Sequence, residues 1–169
     1  VKYILYNPYA GGAEANEAVK ALQTTNEETV AINICRVSSY RTFFDGLEPD
    51  ASVVLCGGDG TLNKFVNGIS GVKIKNKIYY LPIGTGNDFA RDIGCKPFEE
   101  SAVCINDYLW RLPNVTVKGE KRLFVNNVGF GIDGYCCETG DKLREENLNM
   151  KNPKPINDTK IAIGGLLFH

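Results

Sequence analysis

An aspartate stands inside a turn made almost entirely of glycine, in the stretch VVLCGGDGTLNKFVNGI at residues 53–69. The carboxylate of this residue, Asp59, could bind a divalent metal, which would offset its charge beside phosphate groups. It could instead accept a proton from an attacking hydroxyl. The structural alternative is a turn aspartate that only caps the helix predicted to begin at Thr61.

Two further glycine-bearing turns follow predicted strands, NPYAGG at 7–12 and PIGTGND at 82–88. In an open parallel sheet, ligands bind beyond the carboxyl ends of the strands. Glycine lets backbone N–H groups approach an anion, and the helix that follows each turn offers its positive end. Three such turns at one edge predict a polyphosphate site, and they favour a functional role for Asp59 over capping alone.

Two common nucleotide-binding signatures are missing or misplaced. No GxxxxGK[ST] sequence is present, so the chain has no Walker-type phosphate loop. One literal GxGxxG, GFGIDG at 129–134, lies past the region of alternating strands and helices. No βαβ unit with a ribose-binding acid follows it, so we interpret it as a strand end or a bend.

The first part of the chain alternates predicted strands with predicted helices. The strands are KYILYN (2–7), VAINICRV (30–37), ASVVLC (51–56) and KIYYLPI (77–83). The helices are at 13–23, 38–47, 61–69, 88–94 and 97–112. This order predicts the α/β class, with an open, mostly parallel sheet that has helices on both faces.

The pattern changes after Pro113, where NVTVKGEKRLFVNNVGF predicts an antiparallel hairpin around the Lys-Gly pair at 118–119. We expect an α/β nucleotide-binding domain at 1–112. We expect a crossover hairpin and the incomplete start of a β-rich second domain at 113–169. Because the apolar segment 161–168 is a poor place for a natural terminus, we expect the chain to be part of a longer protein.

Composition argues against several classes of function. The 169 residues carry 19 basic and 20 acidic side chains, a net charge of -1, so we expect no general attraction to nucleic acid. Six scattered cysteines without a CxxC pair, and a single histidine, argue against a zinc site and for reduced thiols in the cytoplasm. No apolar run approaches the roughly 20 residues that span a bilayer, so any membrane contact would be peripheral.

The motifs resemble the diacylglycerol kinase catalytic domain, which is shared by bacterial lipid kinases and by sphingosine and ceramide kinases. The resemblance rests on NPYAGG, GGDGTLNKFVNG, PIGTGNDFAR and NNVGFGIDG, in that order. GGDG alone also occurs in NAD kinases and phosphofructokinases, whose nucleotide-binding domains have the α/β fold predicted here. PIGTGNDFAR is far more specific to the lipid kinase branch.

The resemblance implies a kinase that uses ATP and Mg²⁺ to phosphorylate a lipid hydroxyl at the membrane surface. Such an enzyme would be cytoplasmic and peripherally membrane-associated, and a homodimer is left open. Asp59 would bind the metal or serve as the base. The positions that match the family's nucleotide-binding motifs are Asn7, Gly11, Gly12, Ser38, Gly57, Gly58, Asp59, Gly60, Thr61, Asn63, Thr85, Asn87 and Asp88.

Several alternatives accompany this resemblance. In bacterial members the catalytic base is an acidic residue late in the second domain, and no position of this chain matches it. An NAD kinase-like soluble kinase, or a nucleotide-binding module without catalytic activity, would carry similar turns. Asp88 could be only the N-cap of its helix, and Arg91 could approach phosphate or pair with Asp88. For Phe89 and Ile93, core packing is favoured over contact with lipid.

Overall fold

The computed structural model of the chain describes residues 1–8, 19, 20, 22, 28–84, 86–95, 102–129, 134, 135, 138, 139 and 142. The chain divides into two compact units, Val1–Asn126 and Asn127–His169, and the elements given below all belong to the first unit. The domain boundary expected at residue 113 stays a prediction. Most of the helix predicted at 13–23, and the apolar segment 161–168, lie outside the described residues.

A five-stranded sheet with the spatial order β2-β1-β3-β4-β5 forms the centre of the first unit. Its strands are β1 (Lys2–Tyr6), β2 (Thr29–Asn33), β3 (Ser52–Gly57), β4 (Lys77–Pro82) and β5 (Val103–Cys104). The first four strands pair in parallel, and β5 pairs antiparallel with β4. The predicted α/β class with a mostly parallel sheet is therefore confirmed.

Helices connect these strands within the described ranges. They are α1 (Tyr40–Asp45), α2 (Asp59–Gly68), α3 (Asp88–Asp92) and α4 (Asn106–Leu109). Ser39 is the N-cap of α1, and its hydroxyl accepts a hydrogen bond from the Thr42 N–H at 3.2 Å. In α2 the residues at helical spacing, including Leu62, Phe65 and Val66, are buried against the sheet.

Apolar side chains cover both faces of the sheet, as predicted. The larger cluster packs one face against the four helices, which contribute Phe44, Phe65, Phe89 and Leu109. The smaller cluster contains Ile4, Val54, Cys56 and Leu81 from the other face. The helical residues Val19 and Leu22 pack against this second cluster. A parallel sheet buried in this way places the carboxyl ends of its strands together at one edge.

The helix predicted at 97–112 is wrong from Val103 to Ile105. Val103 and Cys104 form β5, which pairs with Tyr80 and Tyr79 of β4. The backbone groups along the edge of β4 need hydrogen-bond partners, and this requirement outweighs the local helical pattern.

The side chain of Asn106 continues the edge of β4 where β5 ends. Its Oδ1 accepts a hydrogen bond from the Ile78 N–H at 2.7 Å, and its Nδ2 donates to the Asn76 carbonyl at 3.0 Å. The second predicted strand is also shorter than expected. It ends at Asn33, whose side chain accepts from the Cys35 N–H and begins a 3-10 turn over Ile34–Arg36.

The predicted hairpin is confirmed as β6 (Asn114–Val117) and β7 (Glu120–Leu123). Lys118 and Gly119 both have positive φ, 52° and 82°, as a two-residue turn between twisted strands requires. Asn67 of α2 fastens this hairpin to the sheet domain. Its Nδ2 donates to the Leu123 carbonyl at 2.8 Å, and its Oδ1 accepts from the Leu123 N–H at 2.9 Å.

Candidate functional site

The turn after β1 is tied to the first turn of α2. Asn7 Nδ2 donates a hydrogen bond to Thr61 Oγ1 at 2.9 Å, and the Asn7 N–H donates to the Cys56 carbonyl at 3.3 Å. Thr61 also packs closely on Gly57, since a Cβ at Gly57 would lie 2.5 Å from the Thr61 Cβ. The structure thus brings together three of the predicted site residues, Asn7, Gly57 and Thr61.

The turns after β3 and β4 touch through glycine backbones. A Cβ at Gly84 would lie 2.5 Å from the Gly58 Cα, and a Cβ at Gly58 would lie 3.1 Å from the Gly84 Cα. The Ile83 N–H donates to the Gly57 carbonyl at 3.1 Å just before the contact. Glycine is required at position 84 because the main chains approach too closely there for a side chain, and a Cβ at Gly58 would be a tight contact.

Asp59 joins these two turns through its carboxylate. Oδ2 accepts a hydrogen bond from the Asp88 N–H at 3.0 Å, and Oδ1 accepts from the Phe89 N–H at 3.1 Å. The carboxylate therefore satisfies the first amides of α3. The alternative in which Asp59 caps α2 is wrong, because α2 begins at Asp59 itself and Gly58 is its N-cap.

Asn87 shapes the turn that leads into α3. It is buried and has left-handed backbone angles, φ 54° and ψ 39°. Its Oδ1 accepts from the Gly84 N–H at 3.0 Å, and its Nδ2 donates to the Gly84 carbonyl at 2.6 Å. Asn87 is the N-cap residue of α3, so the alternative N-cap role for Asp88 is wrong. Of the two partners considered for Arg91, the structure shows Asp88, as an exposed ion pair.

The carboxylates of Asp59 and Asp88 flank the same small residue. A Cβ at Gly86 would lie 3.1 Å from Asp59 Oδ2 and 3.9 Å from Asp88 Oδ2. Magnesium commonly binds proteins through one or two carboxylates and completes its shell with water and substrate phosphate. The pair fits that donor set. A larger group, of three or more acidic, histidine or cysteine ligands, does not occur within the described ranges.

The remaining predicted residues differ in how closely they approach this cluster. Ser38 is exposed in the turn before α1, where Ser39 rather than Ser38 caps the helix. Asn63 lies on α2, and its buried Oδ1 has no hydrogen-bond partner in the described part of the chain. It borders an open cavity of about 460 Å³ lined by Asn63, Lys64, Asn67, Gly68, Arg122 and Leu123. Gly11, Gly12 and Thr85 lie outside the described residues.

The apolar residues near these turns pack in the core. Phe89 is buried, and its ring stacks edge-on against the rings of Tyr80 and Tyr108, at 6.1 and 6.0 Å. Ile93 is partly buried against the same cluster. Sequence analysis assigned no functional role to Tyr80 or Asn67. The sequence feature that could have indicated a role for Asn67 is its amide side chain within an apolar helical stretch.

Comparison with known proteins identifies the chain's relatives. The sequence profile of the diacylglycerol kinase catalytic domain matches residues 2–108. The chain belongs to the diacylglycerol kinase catalytic domain family. Proteins named diacylglycerol kinase from Staphylococcus aureus strains JH9, Newman and JH1 are 33% identical to it over 97 residues. The alignment covers 52% of this chain and only 30% of the length of each relative.

No solved structure matches this member of the family. In the part of the chain that the structure describes, we find no helix with the length and apolar character needed to cross a bilayer.

Proposed function

We propose that this chain is the nucleotide-binding part of an ATP-dependent lipid kinase that transfers the γ-phosphate to a lipid hydroxyl. The observation that carries the proposal is the meeting of three strand-end turns. Asn7 binds Thr61, Gly58 touches Gly84, and Asp59 binds the amides that begin α3. Family membership supports phosphotransfer to a lipid rather than to a soluble acceptor.

The start of α2 is the part of this cluster that we assign to the phosphates of ATP. Gly60 is exposed, and among the described residues no atom outside its own helical backbone lies within 4 Å of the position its Cβ would take. The N-terminus of a ten-residue helix carries free amides and a partial positive charge, both of which favour an anion. The amides that begin α3 are already bonded to Asp59, so they contribute less to this role.

We assign the magnesium ion to Asp59 and Asp88. When bound, the ion would neutralise charge on the phosphate oxygens during transfer. Asp88 Oδ1 pairs with Arg91, whereas Oδ2 of each aspartate faces the position of Gly86. Both oxygens of Asp59 accept amide hydrogen bonds, an arrangement that suits a fixed metal ligand better than a mobile base. This favours the metal role over the base role for Asp59.

The acceptor in this proposal is a diacylglycerol-like lipid at a membrane surface. The name of the Staphylococcus aureus relatives, diacylglycerol kinase, supports this choice of acceptor. The protein would act from the cytoplasm through peripheral contact with the membrane. An acidic residue outside this chain would supply the general base, in line with the bacterial members that it resembles.

A second candidate is a nucleotide-binding module without catalytic activity. It is favoured by the extent of the similarity, because the matched segment spans only 30% of the length of the relatives. Such a module would bind ATP with magnesium and would release it unchanged.

The test offers γ-labelled ATP and magnesium to the complete gene product with diacylglycerol in detergent micelles, and in parallel with glycerol or NAD. Label in the lipid alone supports the proposal, whereas label only in a soluble acceptor contradicts it. Calorimetric binding of ATP without transfer favours the module, and absence of binding contradicts both. Asp59→Asn should abolish transfer, and Asp92→Asn is the matched control because Asp92 is exposed at the other end of α3.

A further inference from the structure

Tyr80, a buried tyrosine of β4, has no partner for its hydroxyl in the described part of the chain. Tyr80 of β4 is 1% exposed, and its hydroxyl makes no hydrogen bond within the described ranges. A tyrosine hydroxyl that loses water on folding normally finds another partner, since leaving it unpaired is costly. A phenylalanine would fill the same apolar space without this cost. The hydroxyl therefore calls for an explanation beyond packing.

Tyr80 contacts the side chain of Phe89, a residue whose backbone N–H binds Asp59. Its ring stacks edge-on against the ring of Phe89, with centroids 6.1 Å apart, and the Phe89 N–H donates to Asp59 Oδ1 at 3.1 Å. Burial raises the pKa of the Tyr80 hydroxyl, and the negative charge of Asp59 raises it further. The hydroxyl thus keeps its proton at neutral pH and stands within electrostatic reach of a carboxylate.

The Asp59 carboxylate can accept a further hydrogen bond. Each carboxylate oxygen accepts one backbone amide, and an ionised carboxylate has about four acceptor sites in all. No direct hydrogen bond joins Tyr80 to Asp59. Buried waters typically bridge polar groups of this kind and make about three hydrogen bonds.

We propose that Tyr80 is a positioning residue that supports the Asp59 carboxylate through one buried water molecule. The water accepts the hydroxyl proton of Tyr80 in a hydrogen bond and donates to an Asp59 oxygen. This bridge holds the carboxylate against the amides of Asp88 and Phe89. The structural part of the inference stands alone, and its consequence for magnesium binding rests on the proposed function.

The test compares Tyr80→Phe with Tyr79→Phe. Tyr79 is the neighbouring residue on the same strand and packs in the cluster on the opposite face of the sheet. Amide hydrogen exchange of Asp88 and Phe89, followed by NMR, reports directly on how firmly Asp59 holds them. The buried amide of Leu55 in β3 serves as the internal reference for global opening.

We expect Tyr80→Phe to accelerate exchange of the Asp88 and Phe89 amides about fivefold relative to Leu55, the effect of losing one ordinary hydrogen bond. Tyr79→Phe should leave this ratio unchanged. The proposal would be overturned if the exchange rates of the Asp88 and Phe89 amides, relative to Leu55, were equal in wild type and Tyr80→Phe and the variant had a higher melting temperature. That result would mean that the Tyr80 hydroxyl makes no hydrogen bond.

A second readout separates this inference from the proposed function. Tyr80→Phe should raise the magnesium concentration at half-maximal ATP binding several-fold, and Tyr79→Phe should not. If the wild-type chain binds no ATP, the proposed function fails while the exchange result still decides the role of Tyr80. Tyr80→Phe could accelerate exchange of the Asp88 and Phe89 amides and leave the magnesium concentration at half-maximal ATP binding unchanged. The water bridge would then support the turn, and its proposed effect on magnesium binding would be wrong.

Discussion

Gly58 and Gly84 lie so close together that position 84 has no room for a side chain. A Cβ on Gly84 would stand 2.5 Å from the Gly58 Cα, inside the contact distance of any two carbon atoms. The obstructing atom is backbone and cannot move aside as a flexible side chain would. The contact fixes the spacing between the turn after β3 and the turn after β4, and with it the spacing of Asp59 and Asp88.

Gly84→Ala should therefore push the two turns apart. We expect a loss of about 1–3 kcal/mol in the free energy of unfolding, as is usual when a methyl group is forced into a packed site. Urea denaturation measures it. ATP binding should weaken as well, because the separation of the turns changes. An alanine variant as stable as wild type would show that this contact is looser than described.

Gly60→Ala is the matched glycine substitution at the start of α2, two residues after Gly58. Beyond the local backbone of the helix, no atom of the described residues lies within 4 Å of its Cβ position, and its φ is not positive. Alanine should stabilise α2 by about 0.5 kcal/mol. If the phosphates of ATP lie over the start of α2, the methyl group should nevertheless weaken ATP binding in calorimetry. Unchanged ATP affinity in Gly60→Ala would place the phosphates elsewhere.

Asp59→Asn should affect both stability and metal-dependent binding. Asparagine offers one oxygen where the carboxylate offers two, so the N–H of Asp88 or Phe89 loses its acceptor. The expected loss in unfolding free energy is about 1–3 kcal/mol. ATP binding in magnesium should weaken at least about tenfold, a free-energy difference of roughly 1.4 kcal/mol.

Binding in EDTA separates the two effects of Asp59→Asn. If Asp59 holds the metal, ATP affinity without magnesium should be nearly the same in the variant and in wild type. An equal weakening with and without magnesium would assign Asp59 to holding α3 alone. Asp92→Asn should match wild type in both buffers.

Asn67→Ala should loosen the hairpin from α2. The substitution removes both side-chain bonds to Leu123 and leaves its N–H and carbonyl unsatisfied, at an expected cost of about 1–3 kcal/mol. Hydrogen exchange at the Leu123 amide should accelerate. Lys64→Ala, an exposed change on the same helix, should stay within about 0.5 kcal/mol of wild type. If the Leu123 amide were equally protected from exchange in Asn67→Ala and wild type, the Asn67 side chain would not hold the hairpin.

Alkaline pH should destabilise the fold through Cys56. Burial raises the pKa of this thiol from 9.0 to about 12, so the unfolded chain loses the proton first. Stability is therefore full below pH 9.0 and falls as the pH rises toward 12. Burial also raises the pKa of Tyr40, from 10.0 to about 12, which adds to the loss in every variant.

The contribution of Cys56 is measured by comparing slopes. Cys56→Ala should show a shallower fall of unfolding free energy above pH 9, even though its stability at neutral pH is lower. Cys104→Ala removes an exposed thiol and should keep the wild-type slope. Parallel slopes for all three proteins would mean that the Cys56 thiol titrates alike in the folded and unfolded chain.

The sequence was informative wherever local pattern and fold rules agree. Apolar runs such as VVLC, each followed by a glycine-rich turn, predicted parallel strands, and parallel strands must bring their turns to one edge. Asn7, Gly58 and Gly84 could be grouped on that basis. The individual roles of Asn7 and Gly58 in nucleotide binding stay predictions.

Two features depended on contacts distant in sequence and could not be predicted. The partners of Asp59 lie 29 and 30 residues away, in a helix whose register the pattern does not specify. Val103 and Cys104 follow an acidic segment typical of a helix start, yet they pair with β4 because its edge needs hydrogen bonds. Neither outcome leaves a local signal in the composition of its segment.

The amide of Asn106 has a consequence for how this protein behaves at high concentration. It binds the main chain at Ile78 and Asn76, which would otherwise offer free groups where β5 has already ended. A neighbouring molecule therefore finds little exposed β4 backbone on which to add a strand, so stacking into fibrils from this border is disfavoured. One asparagine thus covers main-chain groups that an edge strand of only two residues is too short to reach.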